Sequence, residues 1–201
     1  MRVTKTADRC KPVYGRTFGV RLSACLALVA AALALPAPVR AAPAGTDPQV
    51  GTVLDAREAL RKRDRKALGA LRAQANAEGN PLALWVEYWE LTNRINEVEA
   101  PEFAAFAQRW SGTYVEDRLR NDWLLELGRR RDWANFDAEF PRFKMNDDRQ
   151  VTCYSLVTEQ IAGRDIKAPG IAAWMSQKEE DDGCALLAAV LVDTKQMASA
   201  A

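Results

Sequence analysis

Acid–base chemistry in this chain falls to its carboxylates, because the 201 residues contain no histidine. Ser-His-Asp and Cys-His catalysis both need an imidazole as general base and are excluded within the chain. The acids that stand close together are Glu97 with Glu99, Asp147 with Asp148, and the run Glu179 to Asp182. Two carboxylates can share the work of glycoside cleavage, but one of them must sit in an apolar cleft so that its pKa rises. None of these clusters lies in an apolar run. Glu97 and Glu99 read as loop residues. The other acids read as helix starts, where capping and the positive end of the helix dipole account for them. No catalytic residue is assigned.

The other reactive types point the same way. Phosphate loops of the GxxxxGK[ST] or GxGxxG kind are absent. No cofactor-binding residue is assigned and no cofactor is expected. A metal site is not expected either, since two distant cysteines without histidine do not make tetrahedral zinc ligation. The basic run Arg129-Arg130-Arg131 reads as a solvated turn between helices, with an anionic polymer as the sharper alternative. The basic face Arg57, Arg61, Lys62, Arg63, Arg65 and Lys66 has the same two readings. The six tryptophans have Phe and Leu partners at helical spacing and read as core, not as a sugar-stacking surface.

The N-terminal 41 residues carry seven Lys or Arg and one acid, Asp8, followed by the apolar run Leu22 to Leu35 and then Val39-Arg40-Ala41. This is the order of a secretory signal peptide. The run is shorter than the roughly 17–25 residues of a membrane span. Leu22-Ser23-Ala24-Cys25 resembles a lipoprotein cleavage box but opens the apolar run, where such a box closes it. Removing seven of the 28 basic and one of the 27 acidic residues leaves 21 and 26, a net charge of −5. A mildly acidic chain gives no support to nucleic-acid binding. Cys10 and Cys25 leave with the signal. Cys153 and Cys184 remain, and an even pair in an exported chain reads as a disulfide, with buried free thiols as the alternative.

The elements behind these residues read as helices throughout. Asp47-Pro48 opens the first, Asp64 caps the second, and Glu78-Gly79-Asn80-Pro81 stops and restarts the chain. Pro81 opens a helix to about Asn96, and Pro101 opens one with Phe103, Phe106 and Trp110 on a single face. Thr113 with Glu116 predicts a capping box before a helix bearing Leu119, Trp123 and Leu127. Trp133, Phe136 and Phe140 repeat the earlier aromatic triplet, and each triplet follows a Trp-bearing helix, around Trp89 and Trp123. The repetition predicts helix pairs stacked as an α-solenoid. Further helices start at Asp147-Asp148 and Asp181-Asp182-Gly183, with a short one around Trp174. No alternating strand pattern appears.

These residues resemble the N-terminal superhelical, U-type domain of the soluble lytic murein transglycosylases of Gram-negative bacteria. The resemblance is carried by Arg118-Leu119-Arg120-Asn121-Asp122-Trp123-Leu124, Leu127-Gly128, Asp132-Trp133, Phe136, Asp147-Asp148, Gln150, Cys153-Tyr154 and Gly183-Cys184, and it covers Pro81 to about Leu191. It implies an all-α fold: a right-handed α-superhelix, or solenoid, of helix pairs with tetratricopeptide-like packing. It also implies a periplasmic address. Such enzymes cleave the bond between N-acetylmuramic acid and N-acetylglucosamine in peptidoglycan and leave a 1,6-anhydro end. Their one catalytic glutamate lies in a separate C-terminal lysozyme-like domain. No glutamate here is followed by serine, and no Gly-Leu-Met motif occurs, so the catalytic domain's signatures are missing from these residues.

The expected organisation is a signal peptide over 1–41, a leader and first helix pair over 42–80, superhelical repeats over 81–193 and a frayed tail over 194–201. The expected function is the scaffold portion of a lytic transglycosylase, inactive alone. Its partners would be peptidoglycan and the missing catalytic domain, with no nucleic acid and no stable membrane anchor. The alternative is a stand-alone exported helical-repeat module that binds proteins. A solenoid cut short would leave an exposed apolar face near Leu186 to Val192 and a tendency to associate.

Overall fold

Helix-starting residues divide the chain as their side chains dictate. In the computed structural model, which describes residues 47–198, the elements are α1 (Pro48–Lys62), α2 (Arg65–Ala77), α3 (Ala83–Asn93), α4 (Ala100–Arg109), α5 (Tyr114–Arg130), α6 (Trp133–Glu139), α7 (Arg149–Ile161), α8 (Lys167–Met175) and α9 (Asp182–Asp193). Single 3-10 turns follow α3 and α6. The fold is all-α, with no strand among the described residues. The signal-peptide reading of residues 1–41 lies outside the described residues. No helix of the described residues is long and apolar enough to cross a membrane.

Caps set most of the helix starts. The carboxylates of Asp47, Asp64, Asp132, Asp148 and Asp181 each accept a backbone N–H from the first turn of the helix that follows. Thr113 Oγ1 does the same for Glu116 N at the start of α5. The capping box is only half formed, however. Thr113 N donates to the Trp110 carbonyl instead, and the Glu116 carboxylate is drawn off by the Arg120 guanidinium, a charged donor that outcompetes a backbone N–H. The third helix also starts later than Pro81 suggests, because Asn80 Oδ1 accepts Leu82 N and makes a turn before α3 begins.

The helices stack in an alternating order. Each odd-numbered helix touches the next odd one, α1 to α3, α3 to α5, α5 to α7 and α7 to α9. Each even-numbered helix packs on the odd one after it: α2 on α3, α4 on α5, α6 on α7 and α8 on α9. Three apolar clusters follow this order. One holds Ala56, Leu68 and Val86, a central one holds Phe103, Leu119, Trp123, Leu127, Phe136 and Tyr154, and the last holds Val157, Ile166, Leu187 and Leu191 around the two cysteines. Trp110 touches both the first and the central cluster, and Trp133 touches both the central and the last. Cys153 and Cys184 are joined by a disulfide, S–S 2.07 Å, which ties α7 to α9. Both are fully buried.

The run Arg118 to Leu124 on α5 shows how sequence maps onto this stack. Leu119, Trp123 and Leu124 point into the core, and Trp123 stacks on Phe103 of α4 with ring centres 5.6 Å apart. Arg120 is buried and paired with Glu116 of its own helix and Glu139 of α6. Asn121 Nδ2 donates to Asp148 at the start of α7. Asp122 accepts from Tyr88 of α3. The run therefore ties α3, α4, α6 and α7 to one helix.

The structure bears on three expectations. The apolar face of α9 is not exposed: Leu187 and Leu191 are fully buried because α7 and α8 both pack against that helix. The tail expected over 194–201 is described only as far as residue 198, and that part is packed at Gln196 and Met197. Met197 packs on the last cluster, and Gln196 Nε2 donates to Gln160 Oε1 at 2.7 Å. Of the run Arg129–Arg131, Arg129 and Arg131 are exposed as a solvated turn requires, whereas Arg130 is drawn onto the fold. Arg130 lies over the Trp123 ring, 5.2 Å from its centre, and donates to the Ile95 and Val98 carbonyls. Arg129 and Arg130 both pair with Glu126. Arg131 ends α5 with a left-handed backbone and lies over Trp133.

Candidate functional site

Helical spacing on α3 and α5 assembles a strip that is aromatic at one end and polar at the other. On α3, Trp85, Tyr88, Trp89 and Thr92 fall at i, i+3, i+4 and i+7. On α5, Tyr114, Arg118, Asp122, Leu125 and Arg129 follow one another at spacings of three or four. Each set shares one helix face, and the two faces adjoin because α3 packs on α5.

One end of this strip is aromatic. The Trp85 ring centre lies 6.4 Å from that of Tyr114 and 5.9 Å, edge-on, from that of Tyr88. Tyr114 is 62% exposed, and Trp85 and Tyr88 are half-buried. Packing thus explains only part of these rings, and the reading of all six tryptophans as core narrows. Trp123 is core, whereas Trp85, Trp89, Trp110, Trp133 and Trp174 all keep partial exposure.

The other end is a shallow pocket of about 280 Å³ lined by Thr92, Ile95, Asp122, Leu125, Glu126, Arg129, Gln150 and Asp182. Tyr88 Oη donates to Asp122 Oδ2 at 3.0 Å, and Thr92 Oγ1 lies 3.5 Å from the same oxygen. Burial pushes the Asp122 carboxyl above the ordinary aspartate range, against the lowering effect of the Tyr88 hydroxyl. Burial, joined by the Asp122 charge, raises the Tyr88 phenol. The neighbouring Glu126 behaves oppositely. The Arg129 guanidinium beside it holds its carboxyl below the usual range, with Arg130 adding to the effect. A raised acid one helical turn from a lowered carboxylate is the pairing that glycoside cleavage uses. Here Glu126 accepts from Arg129 and Arg130 at 2.6–2.7 Å, so its oxygens are engaged.

The acid clusters of the sequence are placed elsewhere, with one exception. Glu97 pairs with Arg65 at 2.8 Å, and Asp148 is the cap of α7. Asp181 caps α9 and accepts from Arg149 at 2.7 Å. Only Asp182 reaches the pocket. Among the described residues no group of three His, Cys, Asp or Glu side chains could hold a metal ion. On the basic face, Arg61 and Lys62 pair with Glu58.

Set against protein-family models, curated proteins and solved structures, the chain matches none.

Tyr88, Arg118, Asp122 and Glu126 are the site residues that sequence reading passes over. A signal for two of them was present. The sequence repeat expected over these helices would place Trp89 and Trp123 in equivalent positions, and with them Tyr88 and Asp122, the residues just before them. Equivalent positions on successive odd helices lie side by side, which is where the Tyr88–Asp122 hydrogen bond forms.

Proposed function

We propose that this chain is the α-superhelical scaffold portion of a periplasmic lytic murein transglycosylase, engaging peptidoglycan without carrying the catalytic glutamate itself. The observation that carries the reading is the position of the Arg118–Leu124 run. The residues of closest resemblance to that family are those that tie four helices of the stack together. A superhelix of helix pairs is supported by the odd-to-odd stacking of α1, α3, α5, α7 and α9. The buried disulfide suits an oxidising compartment such as the periplasm.

The test is murein turnover. The chain incubated alone with purified sacculi is expected to release no 1,6-anhydro muropeptide. Added to a lysozyme-like transglycosylase domain, it is expected to raise release above that of the domain alone. Release by the chain alone would overturn the claim that it is not catalytic. No effect on the added domain would count against the scaffold role.

A second reading, an exported helical-repeat module for protein partners, is favoured by a different surface. An apolar groove of about 280 Å³ runs between the starts of α1 and α3, lined by Val50, Val53, Leu54 and Leu82. Val50, Leu54 and Leu82 are each about half exposed there.

A further inference from the structure

We propose that the α3–α5 strip is a saccharide-binding surface, on which Tyr114 and Trp85 stack against sugar ring faces while Arg118, Asp122 and Gln150 hydrogen-bond hydroxyl and acetamido groups. It deepens the peptidoglycan reading above, on which it rests, by naming the surface and the chemical class.

Three features select that class. First, the exposed Tyr114 ring and the half-buried Trp85 ring, tilted 43° to one another, form an apolar corner at one end only. Such rings suit a ligand with an apolar face and a polar edge, which is the amphipathic shape of a pyranose. Second, the charges along the strip largely offset one another: Arg118 and Arg129 stand against Asp122, Glu126 and Asp182. A polyanion such as nucleic acid would need an uncompensated basic track, so a neutral, hydroxyl-rich ligand fits better. Third, the shape is long and shallow. Tyr114 to Arg129 spans about 22 Å along the helix axis, ending in a pocket too small to engulf a ligand. An extended oligomer matches this. Extended peptides commonly dock by adding a strand to a sheet edge, and no strand exists among the described residues.

The polar end is already set for such a ligand. Both short contacts to Asp122 fall on Oδ2, from Tyr88 and Thr92, so the carboxylate is held in place by its neighbours. A sugar hydroxyl donating to the same carboxylate would add to these contacts. Removing water from a carboxylate already partly desolvated strengthens the new hydrogen bond.

The test is calorimetric titration of the folded chain with the β-1,4-linked tetramer of N-acetylglucosamine. Saturable binding is expected. Tyr114→Ala should weaken it about three- to tenfold, the range of one aromatic contact, and Arg118→Ala by a similar factor, with the thermal unfolding midpoint unchanged because both side chains are exposed. Leu54→Ala, on α1 away from the strip, should leave affinity unchanged. No heat of binding with the tetramer, or equal affinity in Tyr114→Ala, would overturn the assignment. If sacculi retain the chain while the tetramer does not bind, the strip is not the contact and the scaffold reading survives. Preference for a charged peptide over the tetramer would equally reject the saccharide.

Discussion

Gly128 lies against the face of Tyr154, so close that a Cβ on the glycine would stand 2.3 Å from Tyr154 Cδ2. Tyr154 is fully buried and hemmed in by Trp133 and Phe136, so its ring has nowhere to retreat. The glycine is what lets α5 and α7 approach. Gly128→Ala is expected to destabilise the chain by about 2–3 kcal/mol, the upper part of the range for overpacking a core. Thermal unfolding should show a midpoint lowered by roughly 5–10 °C. An unchanged midpoint would mean that the contact between these helices is looser than described.

Reducing the Cys153–Cys184 bridge removes the covalent tie between α7 and α9 and leaves their packing. The bridge closes a loop of about 30 residues, for which chain entropy gives roughly 3.5–4 kcal/mol. Urea unfolding of the Cys153→Ser/Cys184→Ser variant is expected to show a loss of that order. Because both sulfurs are buried, mild reductant should act on the native chain slowly and on the unfolded chain quickly.

Arg120 is a buried cation among three carboxylates, those of Glu116, Asp117 and Glu139. Arg120→Leu would leave these acids without their shared partner. The expected loss is about 3–5 kcal/mol, the cost of stranding buried charge, read from denaturant midpoints. Glu116→Gln keeps a hydrogen-bonding group beside the guanidinium and should cost clearly less. Equal losses in the two variants would argue against a charge-centred role for Arg120.

Asp122 gives a pH signature of known sign. Its carboxyl is raised in the folded chain by burial, so the folded state holds the proton more firmly than the unfolded one. The contribution to stability is full below the unfolded value, about 3.9, and is lost as pH rises through the higher folded value. Asp122→Asn should therefore gain stability relative to the parent between about pH 3 and pH 7. Glu126 works in the other direction, because Arg129 lowers its pKa, and Glu126→Gln should lose stability relative to the parent over the same rise. A stability difference for Asp122→Asn that is flat with pH would contradict the burial of this acid.

How much of this was legible depended on the range of the interaction. The caps at Asp47, Asp64, Thr113, Asp132, Asp148 and Asp181 could be read from the chain because each acts within three residues of itself. The all-α class followed from the same local signals. Glu116 misleads for the opposite reason. Its spacing to Thr113 suggests a capping box, and the competing Arg120 pairing gains its strength from burial, which the local sequence does not show. Arg130 looked like part of a solvated turn, yet it donates to the Ile95 and Val98 carbonyls between α3 and α4. The site suffered most. Asp122 looks unremarkable until Tyr88, on another helix, is brought against it.

Co-sedimentation with purified peptidoglycan sacculi tests the central claim most directly. A chain spanning residues 42–201 is expected to pellet with sacculi in a saturable manner and to leave the sacculi intact, with no rise in soluble muropeptide. A chain that remains in the supernatant at every sacculus concentration would contradict the account.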